Sequence, residues 1–299
     1  YNKHFFLCEF RGNATSSGVM SFDLIPQGAS FALNDPEKFL WGTLTTDIEF
    51  APDGSLYFTD WVHGWNKSGK GRVYNARWAT EEGRGLSDEV AQLLAEGFSH
   101  RGTLELMELL MHRDRRIRQG AQFALADLGP EGMSGFVKVL RQSDLRIDRL
   151  HAIWGVGQLE RRLKVGSAEY LRPFLFDPDE ELRANTARVM GDLKYLNAVM
   201  DLGAMLEDDS LRVRHLAALA LGEIGWADSV PPLVKLIDDI GDADPVLRHS
   251  AVMGLLGCAS DEKLVELSEH ESPYVRMAAL LCWRRKGSVE ITRFLSSED

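Results

Sequence analysis

Cysteine is scarce in this chain. Its 299 residues include 3 cysteines, Cys8, Cys258 and Cys282, which are too few for a disulfide framework. We expect them to be small buried hydrophobes. No Cys-x-x-Cys-His segment occurs, so the sequence has no attachment site for a c-type haem.

Long apolar runs are also missing. No run reaches the roughly 18 residues that a helical membrane span needs, so we predict no membrane span in this chain. No secretory signal peptide is visible, but the first residue is Tyr1 rather than methionine. We therefore expect a processed or excised piece of a longer protein.

Positive charge is in deficit. The chain has 34 Lys and Arg against 45 Asp and Glu, which gives a formal net charge of -11. Phosphate binding needs a basic face, so we do not expect nucleic acid or an anionic membrane as a partner. A nucleophile elbow, a phosphate loop and a dinucleotide fingerprint are absent as well. We therefore predict no catalytic residue and no cofactor within the chain itself.

A short motif recurs through the last two thirds of the chain. An Asp or Ser is followed by two variable residues, a branched apolar residue and usually an arginine, beginning at residues 114, 144, 179, 210, 244 and 272. The final positions of the copies are 30, 35, 31, 34 and 28 residues apart. Self-similarity at a period of about 20 to 50 residues predicts stacked supersecondary units. One copy ends in Asp148 instead of arginine, which leaves the register of residues 144–178 open.

Helical periodicity begins at Leu86. Each motif starts with a residue type that caps a helix, and glycine ends the helix at Gly129 and Gly225. Apolar residues predict a second helix for the repeats within residues 136–140, 171–175, 199–206 and 233–237. Because neither helix of a pair buries its apolar stripe alone, we expect the pairs to stack into a solenoid.

The first 80 or so residues have the pattern of strands. Alternating or aromatic-rich runs occupy residues 5–10, 19–24, 29–33, 46–50, 55–60 and 71–74. The turn residues Pro52-Asp53-Gly54 predict a hairpin between two of these runs. A short open sheet has exposed edges, so we infer the closing portion of a larger all-β domain whose earlier strands precede Tyr1.

The repeats resemble HEAT repeats of the short bacterial kind over residues 86–299. The resemblance is carried by the capping acid, the branched apolar residue, the arginine, and the runs Ala-Leu-Ala-Asp-Leu-Gly at 124–129 and Ala-Leu-Gly-Glu-Ile-Gly at 220–225. In such families the recurrent arginine packs along the stack against acidic groups of the adjacent turn. The resemblance implies this structural ladder for Arg118, Arg183, Arg214, Arg248 and Arg276.

The strand half resembles the end of a β-propeller of the sugar-dehydrogenase type. The relevant stretches are residues 46–61 and the Gly-Lys-Gly-Arg-Val-Tyr segment at 69–74. The expected fold class is therefore α+β in separate segments. An all-β propeller remnant would occupy residues 1–82, and an all-α HEAT-repeat solenoid would occupy residues 83–299.

A propeller end joined to HEAT repeats looks like a family of planctomycete-type membrane-bound dehydrogenase and haem-binding domain proteins. This resemblance implies a periplasmic or extracytoplasmic location, and a parent protein with haem c or a quinone cofactor outside this chain. We expect a non-enzymatic scaffold that holds a protein partner or docks neighbouring domains of a larger secreted bacterial redox protein. The alternative is a fragment of a propeller-type sugar or alcohol dehydrogenase coupled to a c-type haem domain outside this chain.

The segment most like a ligand site is the loop at residues 60–67, with Asp60, His63 and Trp65 as candidates. Propeller ligands bind where such loops converge, and a carboxylate at a strand end offers hard oxygen ligands to Ca²⁺. The alternative, which we favour, is that Trp61 and Trp65 pack between blades while Asp60 caps a turn.

The repeats themselves show no metal-binding pattern. HEAT-type hydroxylases bind iron with several His-Glu pairs, whereas this chain has one such pair, His270-Glu271. We therefore predict no metal site there. A lyase activity on a bilin chromophore is associated with related short repeats, but no residue distinguishes it and the strand half argues against it.

Overall fold

The computed structural model describes residues 4–63, 65, 69–77, 79–164 and 166–296. The chain divides into two compact units. Unit 1 comprises Tyr1–Gln27, Phe31–His100 and Arg113–Gly120, and unit 2 comprises Gly28–Ser30, Arg101–His112 and Ala121–Asp299. The predicted domain boundary between residues 82 and 83 stays a prediction.

The described strands are β1 (Phe5–Glu9), β2 (Gly18–Gln27), β3 (Ser30–Trp41), β4 (Ile48–Phe50), β5 (Leu56–Asp60) and β6 (Arg72–Ala76). The α-helices are α1 (Glu81–Glu96), α2 (Thr103–Leu109), α3 (Arg115–Asp127), α4 (Pro130–Gln142), α5 (Arg146–Leu163), α6 (Glu180–Asp192), α7 (Val199–Ala204), α8 (Leu211–Ile224), α9 (Val230–Ile240), α10 (Pro245–Cys258), α11 (Asp261–Leu267) and α12 (Pro273–Lys286). Short 3₁₀ segments lie at Ala14–Ser16, Ser167–Phe176, Leu196–Ala198, Met205–Glu207, Ala227–Ser229 and Val289–Ser296.

The strands form two small antiparallel sheets. One has the order β1-β2-β3 and the other the order β4-β5-β6, with three strands in each. Phe5 pairs with Phe22 in the first sheet, and Ile48 pairs with Phe58 in the second. The predicted hairpin around Pro52-Asp53-Gly54 is confirmed as the β4–β5 connection. Two sheets of this size do not by themselves identify a propeller.

Strand β3 is longer than the sequence predicts. The predicted strand covers residues 29–33, whereas β3 continues to Trp41. Pro36 is tolerated because β3 is an edge strand of its sheet, where one side of the backbone needs no ladder partner. Asn34 Nδ2 also donates to Asp23 Oδ1 of β2 at 2.8 Å, which holds the two strands together.

Unit 2 is built from helices in two layers. We call α3, α5, α6, α8, α10 and α12 the motif helices, because each begins at a copy of the recurrent motif. Helix α8 packs between α6 and α10, and α10 packs against α12. The second layer contains α4, the 3₁₀ segment Ser167–Phe176, α7, α9 and α11, which pack on α5, α6, α8, α10 and α12 respectively.

The motif helices share one burial pattern. We number the residue that precedes each helix as zero, so that Asp114 is position zero of α3. The third, seventh, tenth and eleventh positions are then buried in all six motif helices. The seventh position is alanine except for Thr186, and small residues at the tenth allow close stacking. At the α8–α10 contact a Cβ on Gly257 would lie 2.0 Å from the carbonyl oxygen of Gly222. At the α6–α8 contact a Cβ on Gly191 would lie 2.5 Å from the Cα of Ala220.

The structure corrects the register of the 144 copy. Ile147, aligned by sequence with the buried apolar position, is 36% exposed, whereas Asp148 is 1% exposed. Helix α5 therefore starts one residue later than its motif suggests, with Leu145 preceding it. Arg149, not Asp148, occupies the arginine position, and its guanidinium pairs with Asp177.

Capping follows the prediction at Asp179 and Asp244 but not at Asp144, Ser210 or Ser272. Asp179 Oδ1 accepts a hydrogen bond from the Glu181 amide, and Asp244 Oδ1 accepts from two amides of α10, each at 2.9 Å. Ser210 and Ser272 precede their helices without a side-chain cap.

One predicted second helix has a different form. Residues 171–175 lie in the 3₁₀ segment Ser167–Phe176, because Pro173 has no amide hydrogen for an α-helical bond.

Candidate functional site

The carboxylate of Asp60 accepts hydrogen bonds from nearby backbone amides. Its Oδ1 accepts hydrogen bonds from the backbone amides of Leu44 at 3.0 Å and Val62 at 2.9 Å. Its Oδ2 lies 4.0 Å from Arg72, and the residue is 7% exposed. A carboxylate with these partners stabilises the turn after β5, which is the capping role considered for Asp60.

His63 and Trp65 do not join Asp60 in a common site. The backbone amide of His63 donates to the Trp61 carbonyl at 3.0 Å. Trp65 is 74% exposed and meets Phe10 edge-on, with 4.9 Å between the ring centroids. The two rings, with Thr46 and Trp61, line a cleft of about 200 Å³ that neither Asp60 nor His63 reaches. Gly64 and residues 66–68 of this loop, including the glycosylation-type sequence at 66–68, lie outside the described residues.

The recurrent arginines mainly close the turn before their own helix. Arg118 donates to the Arg113 carbonyl at 2.8 Å, and Arg276 donates to the His270 and Glu271 carbonyls at 2.9 Å. Arg214 Nε bonds to the Asp208 carbonyl, and Arg248 pairs with Asp242.

Arg183 also reaches along the stack. Its Nε and Nη2 each lie 2.9 Å from the carboxylate of Asp208, in the turn before α8. The hydrogen bonds that Arg183 donates to this carboxylate raise the pKa of Arg183. The structure thus brings one arginine of the predicted set onto an acid of the adjacent turn, and Arg149 does the same with Asp177.

A solvent-facing row crosses the motif helices, and sequence inspection missed it. In the numbering used above for the motif helices, the ninth position is not buried in any of the six. We call these residues the central row: Phe123, Trp154, Arg188, Leu219, Met253 and Leu281. Apolar side chains flank the row, with Val246 and Tyr274 each 37% exposed and Met277 50% exposed.

A polar network orients the first half of the row. Trp154 Nε1 donates to Asn185 Oδ1 at 3.1 Å, and Asn185 Nδ2 donates to the Glu181 carbonyl at 2.8 Å. His151, 4% exposed, lies 2.8 Å from Gln122 through Nδ1 and stacks edge-on against Trp154. Paired on both sides, the Trp154 ring is held in place before any partner arrives.

Arg188 is the one charged member of the row. It is exposed, and it makes no hydrogen bond or ion pair with any described residue. Asp192 and Glu223, near the carboxyl ends of α6 and α8, are likewise unpaired within the described part of the chain. The row is therefore mainly apolar and aromatic, and Arg188 is its charged residue.

Among the described residues, neither a metal-binding cluster nor a membrane-spanning helix is present. No group of three or more His, Cys, Asp or Glu there is placed to hold a metal ion. No described helix is both long enough and apolar enough to cross a membrane.

Comparison with known proteins identifies the helical part. Residues 168–255 match the family model of HEAT repeats. The C-terminal part of the chain, which includes these residues, is a helical solenoid with HEAT repeats. The match runs from the 3₁₀ segment before α6 into α10. It therefore includes the helices α6, α8 and α10, which pack side by side.

Two curated proteins match the same kind of repeats. Deoxyhypusine hydroxylase of Schizosaccharomyces pombe is 34% identical over 98 residues, which are 32% of this chain and 30% of the relative. Phycocyanobilin lyase subunit alpha of Synechococcus elongatus is 35% identical over 107 residues, 33% of this chain and 38% of the relative. The chain thus spans about a third of the length of each relative.

Solved structures give weaker likenesses. The complex of CpcE and CpcF of phycocyanin lyase from Nostoc sp. PCC7120 is 22% identical with a TM-score of 0.43, covering 56% of this chain and 71% of that chain. Computationally designed armadillo repeat proteins for modular peptide recognition are 19% identical with a TM-score of 0.39, covering 61% of this chain and 99% of that chain. Neither likeness bears on what this chain binds.

Proposed function

We propose that this chain is a non-enzymatic protein-interaction scaffold and that the central row is its binding surface. The observation that carries the proposal is the row itself, five apolar or aromatic side chains and one arginine at the same position of six motif helices, of which α5, α6, α8, α10 and α12 pack in series. A single exposed apolar residue is ordinary, but a contiguous series marks an interaction site.

The stack makes this surface ready for binding. Close contacts through Gly191, Gly222 and Gly257 fix the spacing of α6, α8 and α10, and the polar network holds Trp154. A partner that meets a rigid surface loses less conformational freedom on binding than one that must order it. Exposed Phe123 and the partly buried side chains of Trp154, Leu219, Met253 and Leu281 then supply the apolar area that an extended or helical protein segment covers.

Selection of ligands followed by substitution tests the proposal. Random peptides displayed on phage are selected against the purified chain, and the affinity of the best peptide is measured by fluorescence anisotropy. We expect Met253→Ser and Leu281→Ser each to weaken binding about tenfold, which corresponds to about 1.4 kcal/mol.

The matched control is Met200→Ser on α7, because Met200 is 79% exposed and lies in the second layer. It should leave affinity unchanged, and thermal unfolding checks that all variants fold. Peptides whose binding is insensitive to both row variants but lost in Met200→Ser would show that the binding surface is elsewhere.

We propose further that the scaffold belongs to a larger secreted bacterial redox protein. Support comes from the resemblance of residues 46–61 and 69–74 to a propeller end, followed along the chain by HEAT repeats. In this proposal the chain docks neighbouring domains in the periplasm. Haem c or a quinone would be bound by domains outside it.

The dehydrogenase alternative shares this context. It assigns the strands to a propeller-type sugar or alcohol dehydrogenase that is coupled to a c-type haem domain outside this chain. The encoding gene tests whether the chain belongs to such a larger protein at all. Upstream propeller strands and a downstream Cys-x-x-Cys-His in the same reading frame are the expected result, and their absence from the complete reading frame contradicts it.

A further inference from the structure

A cavity of about 200 Å³ opens between α7 and α9 in unit 2, away from the central row. Leu206, Pro232 and Leu236 form the apolar part of its wall, and Arg214 of α8 also lines it. Gly203 borders the same space, and a Cβ added there would meet no atom within 4 Å. The cavity is smaller than the roughly 300–1,000 Å³ of sites for drug-sized ligands, so it suits a fragment or a single side chain.

Arg214 has hydrogen-bonding capacity left over. Its Nε bonds to the Asp208 carbonyl, and neither Nη atom has a hydrogen bond or an ion pair with any described residue. The preceding recurrent arginine, Arg183, shows what this group does when a carboxylate is available, since it grips Asp208 through Nε and Nη2. The acid at the corresponding place in the next turn, Asp242, pairs with Arg248 instead.

The other charged residues on the wall are one lysine and two carboxylates. Lys235 pairs with Glu207 and lies 3.8 Å from Asp239. The hydrogen bond from Lys235 lowers the pKa of Glu207, so this carboxylate is ionised at neutral pH and stays with its partner. The charge of Arg214 also lowers the pKa of Glu207, but no carboxylate of the described residues lies within 4.0 Å of its guanidinium nitrogens.

We propose that this cavity binds a carboxylate carried on a short apolar body, with the Nη atoms of Arg214 as its anchor. Leucine and proline side chains of the wall cover the apolar body, and the guanidinium donates to the carboxylate in a fork geometry. The carboxyl-terminal residue of a peptide and a small branched organic acid share this chemistry. Binding here does not depend on the central row.

Titration with three matched compounds tests the ligand class. N-acetyl-leucine, N-acetyl-leucinamide and isovalerate are added to the full chain, and the methyl resonances of Leu206 and Leu236 are followed by NMR. We expect saturable shifts with both carboxylates and at least about tenfold weaker binding of the amide, because a charge-assisted hydrogen-bonded pair is lost. Tighter binding of N-acetyl-leucine than of isovalerate assigns the site to peptide ends, and the reverse order assigns it to free acids.

Two kinds of variant test the anchor and the space. Arg214→Gln should weaken binding of N-acetyl-leucine by about tenfold or more. Gly203→Leu should abolish binding by filling the cavity, and Gly203→Ala, which adds only the unopposed Cβ, should leave it intact. If Arg214→Gln does not fold, the Gly203 pair decides. Equal affinity for acid and amide, absence of saturable shifts, or binding that survives Gly203→Leu overturns the proposal.

Discussion

Burial sets the chemistry of the two cysteines in the solenoid. Cys258 is 6% exposed and Cys282 is fully buried, and burial raises their pKa values to about 11 and about 12. The Cys258 thiol also donates to the Leu221 carbonyl at 3.2 Å. Both are free thiols, and both are protonated at neutral pH.

Thiol labelling checks this directly. In a Cys8→Ser variant, we expect Ellman's reagent at pH 8 to leave the native protein unmodified, because a buried protonated thiol is a poor nucleophile. The same sample in guanidinium chloride should release chromophore from both remaining cysteines. Rapid modification of either thiol without denaturant would contradict the assigned burial.

The same pKa values predict how stability depends on pH. A thiol whose pKa is higher in the folded than in the unfolded chain stabilises the fold fully below its ordinary value of 9.0 and loses that contribution as pH rises toward 11 or 12. We expect the free energy of unfolding to fall by about 1.4 kcal/mol per pH unit for each thiol above pH 9. Urea unfolding from pH 8 to 10.5 measures this, and a Cys258→Ala/Cys282→Ala variant should lack this part of the slope.

At the scale of elements, the start of a helix decides which side chains it buries. Ser143 Oγ accepts a hydrogen bond from the Leu145 amide at 3.1 Å and bonds to the Asp148 carboxylate, so it anchors α5 one residue later than the motif implies. Asp148 is thereby placed where the other motif helices carry isoleucine, leucine or valine, and Arg149 takes the arginine position.

A pair of alanine substitutions distinguishes the two registers. Ile147→Ala should change the free energy of unfolding by less than about 0.5 kcal/mol, because Ile147 is 36% exposed. Leu182→Ala, at the buried position of α6, should cost about 2–5 kcal/mol. Denaturant unfolding compares them, and a cost for Ile147→Ala close to that of Leu182→Ala would restore the register read from the sequence.

Close helix contacts are the second property of the elements. A side chain at Gly257 would clash with the Gly222 carbonyl, so Gly257→Val should force α8 and α10 apart and cost about 1–3 kcal/mol. The matched control is Gly203→Ala, where nothing lies within 4 Å and where removing a helical glycine should stabilise by up to about 1 kcal/mol. If the two glycine variants prove equally stable in urea unfolding, the helices are not in backbone contact.

Much of this element structure could be predicted from local sequence. Asp179 and Asp244 cap their helices as expected, and Gly225 ends α8 in the left-handed conformation. What escaped prediction depended on neighbours in space. Pro36 fits within β3 only because that strand is at an edge, and the start of α5 depends on a hydroxyl that bonds to two groups at once.

At the scale of the whole molecule, the repetition of the stack acts on the surface as well as on the core. The ninth position of each motif helix is exposed or partly exposed, so six side chains of five residue types lie in one row. Sequence inspection found the buried pattern because alanine, leucine and glycine recur there. It missed the row because Phe, Trp, Arg, Leu and Met share no residue type, and only the common register places them together.

The most direct test of the scaffold proposal is methyl NMR of the chain with a selected peptide. We predict that the methyl resonances of Leu219, Met253 and Leu281 shift on binding, while those of Met200 in α7 and Leu104 in α2 do not. Shifts confined to Met200 and Leu104, with the central row unchanged at saturation, would contradict the assignment of the row as the binding surface.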